Sequence, residues 1–96
     1  MLRRLVLDVI FPKMDGSIIN LAEKLIKVSG VEAVNITVKE IDMETETLVV
    51  VVEGESIDYN SVKIVIEDLG GMIHSVDQVV AGKKVVQLPQ EVIEEL

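Results

Sequence analysis

Residues 31–54 read VEAVNITVKEIDMETETLVVVVEG, and this stretch decides the fold of the chain. Apolar and polar residues alternate through its first half, which is the two-residue period of a β-strand. Its second half holds a run of valines, which is typical of a strand buried on both faces. Only the polar turn DMETET, at 42–47, separates the two runs. A connection this short joins antiparallel neighbours, so the sequence predicts a β-hairpin.

A strand and a helix are predicted on each side of the hairpin. Apolar periodicity and capping residues indicate a strand at 4–11, a helix from Ile18 to Ser29-Gly30, a helix from the cap Asp58 to Gly70, and a strand at 72–80. The order strand, helix, strand, strand, helix, strand is the split βαβ, ferredoxin-like arrangement. The predicted fold class is therefore α+β, with a four-stranded antiparallel sheet and both helices on one of its faces. Residues 1–96 are predicted to form a single domain.

The C-terminal residues predict a short extension of this fold. KKVVQL, at 83–88, has the pattern of a fifth strand that pairs with the edge of the sheet. PQEVIEEL, at 89–96, predicts a short helix with Pro89 in its first turn and an apolar stripe at Val92, Ile93 and Leu96. Because eight residues make a marginal helix alone, this helix needs a surface on which to pack.

Composition excludes several classes of function. The chain has no cysteine, which removes thiolate nucleophiles, thiolate metal sites and disulfides and fits a reducing cytoplasm. Nine basic against 17 acidic residues give a net charge of −8, which repels phosphate backbones. One Tyr and one Phe leave almost no rings for stacking bases, so nucleic acid is not an expected partner. The central apolar run LVVVV is far too short to span a membrane, and a cytoplasmic protein is expected.

One face of the predicted sheet lacks a cover. Both helices lie on the other face, where the first strand presents its fully apolar set. Four apolar residues of the central strands are then left on the open face: Val6, Ile10, Val49 and Val51. Each would gain roughly 1.5–3 kcal/mol by full burial, and such a patch is unusual on a monomer. A second subunit, the C-terminal tail or a ligand should cover it. We therefore expect a homo-oligomer, for which a closed ring is one form.

Five segments together resemble a known family. They are RRLVLDV at 3–9, GVEAVNITV at 30–38, IDMETE at 41–46, EG at 53–54 and LGGMIHSVDQVVAGKK at 69–84. Over almost its whole length the chain resembles the small archaeal proteins of domain-of-unknown-function family two-eleven. Its most specific part is GG-x-IHS-x-D-x-VVAG. The resemblance implies a ferredoxin-like fold, a homo-oligomeric assembly and no established activity. It also implies that five positions are characteristic: Asp8, Asn35, His74, Ser75 and Asp77.

The candidate site lies where the last strand passes the first. Antiparallel pairing places Asp8 opposite the middle of 72–80, but His74 and Asp77 point to opposite faces of a regular strand. The alternation there is imperfect, which indicates a β-bulge. If Ser75 and Asp77 share the face of Asp8, two carboxylates and a hydroxyl meet; if His74 shares it, an Asp–His pair forms. We predict a ligand site at these four residues, with Asp8 and Asp77 as metal ligands. The alternative is a structural His74 that bonds a backbone carbonyl or lies in a subunit interface.

The acidic hairpin turn is a weaker candidate for metal binding. Asp42, Glu44 and Glu46 alternate as in calcium loops, yet Thr47 stands where the EF-hand requires glycine. A solvated turn is the simpler interpretation. Such turns could still collect Ca²⁺ or Mg²⁺ between symmetric subunits.

The loop MDGS, at 14–17, suggests an alternative function. Amino-acid-binding regulatory domains of similar topology meet their ligand at an Asp/Gly-containing loop in this place, which makes Asp15 a candidate ligand residue. A turn with a helix cap explains Asp15-Gly16-Ser17 equally well.

The sequence therefore supports three functional hypotheses. The leading one is a non-enzymatic homo-oligomer that requires no cofactor and binds a divalent cation or a small ligand on the sheet or between subunits. The second is a small-molecule-sensing regulatory domain that uses the loop at 14–17. The third is an enzyme with Asp8 and His74 as an acid/base pair, although no pattern places a base against a nucleophile.

Overall fold

A computed structural model describes residues 1–15 and 17–96. Its elements are β1 Leu2–Pro12, α1 Ser17–Leu25, β2 Val31–Ile41, β3 Thr45–Gly54, α2 Tyr59–Asp68, β4 Met72–Ala81 and α3 Gln90–Ile93. The four strands form one antiparallel sheet in the order β2-β3-β1-β4. This is the predicted ferredoxin-like βαββαβ fold. β1 and β3 occupy the centre of the sheet, and β2 and β4 are its edges.

The core lies between one face of the sheet and the helices α1 and α2. The alternation of β1 places its apolar set inside, and the central valines of β3 follow the same rule. The residues that this face of the sheet and the two helices bury in the core are Leu5, Leu7, Val9, Phe11, Leu48, Val50, Val52, Leu21, Leu25, Val62 and Ile66. The prediction that the helices cover the face of Leu5, Leu7, Val9 and Phe11 is confirmed.

Helix α2 begins and ends with the predicted signals. The backbone N–H of Ser61 donates to Asp58 Oδ1 at 3.3 Å, which caps the first turn. At the other end Gly70 adopts φ +91°, and the N–H of Gly71 donates to the carbonyl of Ile66 at 2.9 Å. This is a Schellman motif, which only a residue tolerant of positive φ adopts cheaply. It turns the chain directly into β4.

Two element boundaries differ from the predicted ones by about a helical turn or three residues of strand. α1 ends at Leu25, because the N–H of Val28 donates to the carbonyl of Leu25 in a tighter turn that buries Val28. β3 begins at Thr45, because the N–H of Asp42 donates to the carbonyl of Thr45 at 2.8 Å and closes a shorter hairpin. The second half of the predicted polar turn is therefore strand.

The C-terminal extension lies against β4. α3 forms as predicted, with Pro89 at its N-cap, but KKVVQL at 83–88 lies outside the sheet and forms no fifth strand. Gly82, at φ +109°, turns the chain away from the edge of β4. Arg4 Nη1 then donates to Gln87 Oε1 at 3.2 Å. Since Arg4 belongs to the inner strand β1, the tail passes over β4 instead of running beside it.

Candidate functional site

The open face of the sheet is apolar at its centre and polar at its rim. Val6 lies opposite Val51, and Asp8 lies opposite Val49 on the neighbouring strand β3. Val6, Ile10, Val49 and Val51 are all half-buried by their neighbours in the sheet. The edge strands add polar side chains beside this centre, which is the composition of many protein interfaces.

Two β-bulges in the β1–β4 pairing decide which residues of β4 meet Asp8. The register shifts between Val6 and Leu7 and again between Asp8 and Val9. Ser75 is consequently the partner of Asp8, and Gln78 is the partner of Val6. The predicted pairing of Asp8 with the middle of β4 and the predicted bulge are both confirmed.

Ser75 also forms a hydrogen bond with Asp77. Its hydroxyl donates to Asp77 Oδ1 at 2.6 Å, a short hydrogen bond to a charged acceptor. Asp8 therefore faces a hydroxyl whose proton is already engaged by a second carboxylate. Of the two predicted arrangements, the one with two carboxylates and a hydroxyl fits this geometry.

His74 stands apart from these groups. Its side chain is exposed and makes neither a hydrogen bond nor an ion pair within the described residues. The structure thus does not bring His74 against Asp8, which the acid/base hypothesis requires.

Asp8 is the least satisfied polar group of the open face. Its side chain is 17 % exposed, and Oδ1 is buried without a hydrogen-bond partner in the described part of the chain. Oδ2 lies 4.0 Å from Lys39 Nζ on β2, a long contact with an exposed amine. Leaving a buried carboxylate oxygen unpaired costs about 1–3 kcal/mol or more. A donor or cation that arrives from outside the chain would relieve this cost.

Arg4 organises one end of the open face, and the sequence reasoning did not single it out. Its Nε donates to Glu53 Oε2 on β3 at 2.6 Å, and its Nη1 donates to Gln78 Oε1 on β4 at 3.3 Å. With the contact to Gln87, one guanidinium connects three strands and the tail. The signal was present in the alternation, which places Arg4 on the same face as Val6 and Asp8.

The acidic hairpin does not gather its carboxylates. Glu46 lies on β3 opposite Phe11, while Asp42 Oδ1 accepts from the N–H of Met43 at 2.8 Å. Among residues 1–15 and 17–96, no three His, Cys, Asp or Glu side chains are grouped so that they could hold a metal ion. Any cation at Asp8 or Asp77 would need further ligands from a second copy or from water.

A small cavity lies at the loop between β1 and α1. It has a volume of about 140 Å³, and its lining includes Asp15, Ser17 and Asn20 together with Phe11 and Leu69. The predicted ligand residue Asp15 thus lines a cavity, in a part of the fold separate from the pairing of Asp8 with β4. Gly16, the central residue of the predicted sensor loop, lies outside the described residues.

Comparison with known proteins assigns the chain to a family. The family model described as DUF211, an uncharacterized archaeal conserved region, matches residues 3–95. The chain belongs to this family. An uncharacterized protein of Methanocaldococcus jannaschii is 48 % identical over 86 residues, which cover 90 % of this chain and 88 % of that protein. The resemblance noted in the sequence is therefore confirmed.

Asn35 lies on the rim of the open face. It is one of the five positions that the family resemblance marks as characteristic. It is exposed on β2, opposite Val51, and Thr37 Oγ1 donates to its Oδ1 at 2.8 Å. This internal bond does not use the amide N–H groups of Asn35, which can donate to other acceptors. No helix in the described part of the chain is long and apolar enough to cross a membrane.

Proposed function

We propose that the protein is a non-enzymatic, cytoplasmic homo-oligomer whose copies associate through the open face of the sheet. The observation that supports this most strongly is the apolar centre of that face, at Val6, Ile10, Val49 and Val51. The helices cover the other face, and in the described part of the chain the tail meets the open face through the contact between Gln87 and Arg4, at its end. Burying these side chains against a second copy would supply the driving force for association.

The polar groups of the open face support the same proposal. A buried carboxylate oxygen without a donor in the described part of the chain, Asp8 Oδ1, is unfavourable in a single copy. In an assembly it would accept from a side chain of a second copy or bind a divalent cation shared between copies. A cation would also offset the repulsion between chains that each carry a net charge of −8.

A charge placed at the centre of the open face is expected to abolish association. Val51→Glu would bury an unpaired carboxylate in the interface, which costs several kcal/mol more than the interface gains there. Light scattering coupled to size-exclusion chromatography should give a multiple of the chain mass for the wild type and the mass of one chain for the variant. Ile64→Glu is the matched control, because Ile64 is exposed on α2 at 55 % and lies away from the open face. A wild-type protein that stays monomeric over a wide concentration range would contradict the proposal.

Divalent cations are expected to stabilise the protein through Asp8. A ligand present at about 100 times its Kd adds about 2.7 kcal/mol to the free energy of unfolding. The melting temperature should therefore rise in saturating Ca²⁺, Mg²⁺ or Mn²⁺, and Asp8→Asn should remove most of this rise. Asp68→Asn, an exposed position at the end of α2, is the control. An unchanged melting temperature in all three cations would refute cation binding while leaving association untouched.

A small-molecule-sensing regulatory domain is the second candidate function. The observation that favours it is the cavity of about 140 Å³, which combines the polar side chains of Asp15, Ser17 and Asn20 with apolar walls. A volume of this size would accept a ligand no larger than a small amino acid. If the wild type binds a small amino acid, and Asn20→Leu removes this binding without changing the association of the chains, this function would be favoured over the first.

A further inference from the structure

Val80 is buried, yet it does not belong to the core beneath the helices. It is 7 % exposed, and among the described residues it is the buried apolar side chain that stands outside the core cluster. Its strand partner is Arg4, which precedes the core residue Leu5 and therefore points to the open face. Because β4 is an edge of the sheet, no further strand covers Val80 from outside. Another part of the chain must cover it on the side of the open face.

The C-terminal tail, residues 82–96, supplies this cover. Residues 86–89 of the tail and residues 78–81 of β4 line one cavity of about 350 Å³. Arg4 Nη1 donates to Gln87 Oε1 at 3.2 Å and to Gln78 Oε1 at 3.3 Å. One guanidinium thus ties the tail to the open face, on the side of β4.

The tail is held loosely. Every residue from 83 to 96 is exposed, and residues 83–88 form no backbone hydrogen bond within residues 1–15 and 17–96. In the same part of the chain, the bond from Arg4 to Gln87 is the one side-chain hydrogen bond between tail and sheet. Gly82, which has the backbone freedom of glycine, stands at the start of the tail as a hinge. A segment with so few buried contacts opens at low free-energy cost.

A second copy on the open face would compete with the tail for space. Sheets that pack face to face lie about 10 Å apart, and their own side chains fill this gap. The tail stands in that layer beside β4, where it also hides Val80. Release of the tail would therefore make room for a second sheet and add Val80 to the apolar surface that it can bury.

We propose that residues 82–96 form an autoinhibitory strap, closed by the hydrogen bond between Arg4 and Gln87, which must open before a second copy binds the open face. This inference rests on the proposed association through that face. Because only chains with an open strap associate, the apparent Kd of association equals the intrinsic Kd divided by the open fraction. A firmer strap weakens association, and a looser strap strengthens it.

Substitutions at Gln87 shift the strap in both directions in the whole chain. Gln87→Ala removes the hydrogen bond, so analytical ultracentrifugation should give an apparent Kd about three to ten times lower than that of the wild type. Gln87→Glu offers Arg4 a charged acceptor and should raise the apparent Kd by a similar factor. Gln90→Glu is the matched control, because it adds the same charge at an exposed position of α3. Its apparent Kd should lie closer to that of the wild type.

Trypsin measures the state of the strap without reference to association. Lys83 and Lys84 are exposed at the base of the strap, and the protease must draw the residues on both sides of the cleaved bond into its cleft. At a protein concentration far below the apparent Kd, the cleavage rate follows the open fraction. Cleavage should be several times faster in Gln87→Ala than in the wild type, and slower in Gln87→Glu.

The remaining outcomes contradict the strap in distinguishable ways. Equal cleavage rates in the three proteins would show that the bond to Arg4 closes nothing. Faster cleavage of Gln87→Ala with unchanged or weaker association would show that the tail does not hinder the partner. Both results leave the association of the wild type, and with it the proposed function, intact. If the wild type and Gln87→Ala both stayed monomeric at every concentration, the proposed function would fail together with the strap.

A double variant tests which surface the open strap exposes. Val51→Glu added to Gln87→Ala should abolish the tighter association, because it places a charge at the centre of the open face. If tight association persisted in the double variant, the released tail itself would carry the contact, and the autoinhibitory role would be refuted.

Discussion

Gly54→Ala is expected to lower the free energy of unfolding by about 3–5 kcal/mol, which is exceptional for the addition of one methyl group. A Cβ on Gly54 would lie only 1.9 Å from the carbonyl oxygen of Gly30. That oxygen belongs to the backbone and accepts a hydrogen bond from the N–H of Glu55 at 2.9 Å. It therefore cannot move away without breaking this hydrogen bond. Gly30 itself has φ +85° and also lies against backbone atoms. The clash can therefore be relieved only if the start of β2 moves away from the end of β3.

Urea denaturation would measure this effect, with Gly82→Ala as the matched control. Gly82 has a positive φ, +109°, but among the described residues no atom beyond its chain neighbours lies within 4 Å of the added methyl group. Its substitution should cost only the conformational strain of about 1–2 kcal/mol. If both variants lost the same stability, the close approach of Gly30 and Gly54 could not be the cause.

The fold could be predicted because each element carries its own local signal. Alternation in β1, the valine run of β3, the cap Asp58 and the stop Gly70 act within a few residues, and the short hairpin fixes the order of the strands. The pairing of Asp8 with β4 follows from the same topology. These features need no knowledge of long-range contacts.

The remaining features depend on contacts between distant residues. The bulges that align Ser75 with Asp8 arise from the fit of β4 to β1, and the sequence indicated only that a bulge was present. KKVVQL has the pattern of a strand, yet the turn at Gly82 and the contact between Gln87 and Arg4 direct it over the sheet. The role of Arg4 depends on Glu53 and Gln78, which are remote in sequence. Local patterns do not encode such choices.

Phe11→Ala is expected to destabilise the protein by about 3–5 kcal/mol, because it deletes a buried ring and leaves a cavity. Phe11 is 2 % exposed and already lines the cavity of about 140 Å³ near Asp15. Removal of the ring would join the two spaces into one larger cavity, whose newly opened part is apolar. A small apolar ligand such as benzene should then raise the melting temperature of the variant but not that of the wild type.

Two further variants separate cavity formation from other effects. Phe11→Leu keeps most of the volume and should cost less than about 1.5 kcal/mol. A Cβ on Gly71 would lie 2.6 Å from Phe11 Cδ1, so Gly71→Ala should lower the free energy of unfolding while the ring is present. In the Phe11→Ala background the same methyl group has room on that side, and the double variant should be more stable than the sum of the two losses predicts. Additive losses would instead mean that the backbone at Gly71, or its contact with Ile66, sets the cost.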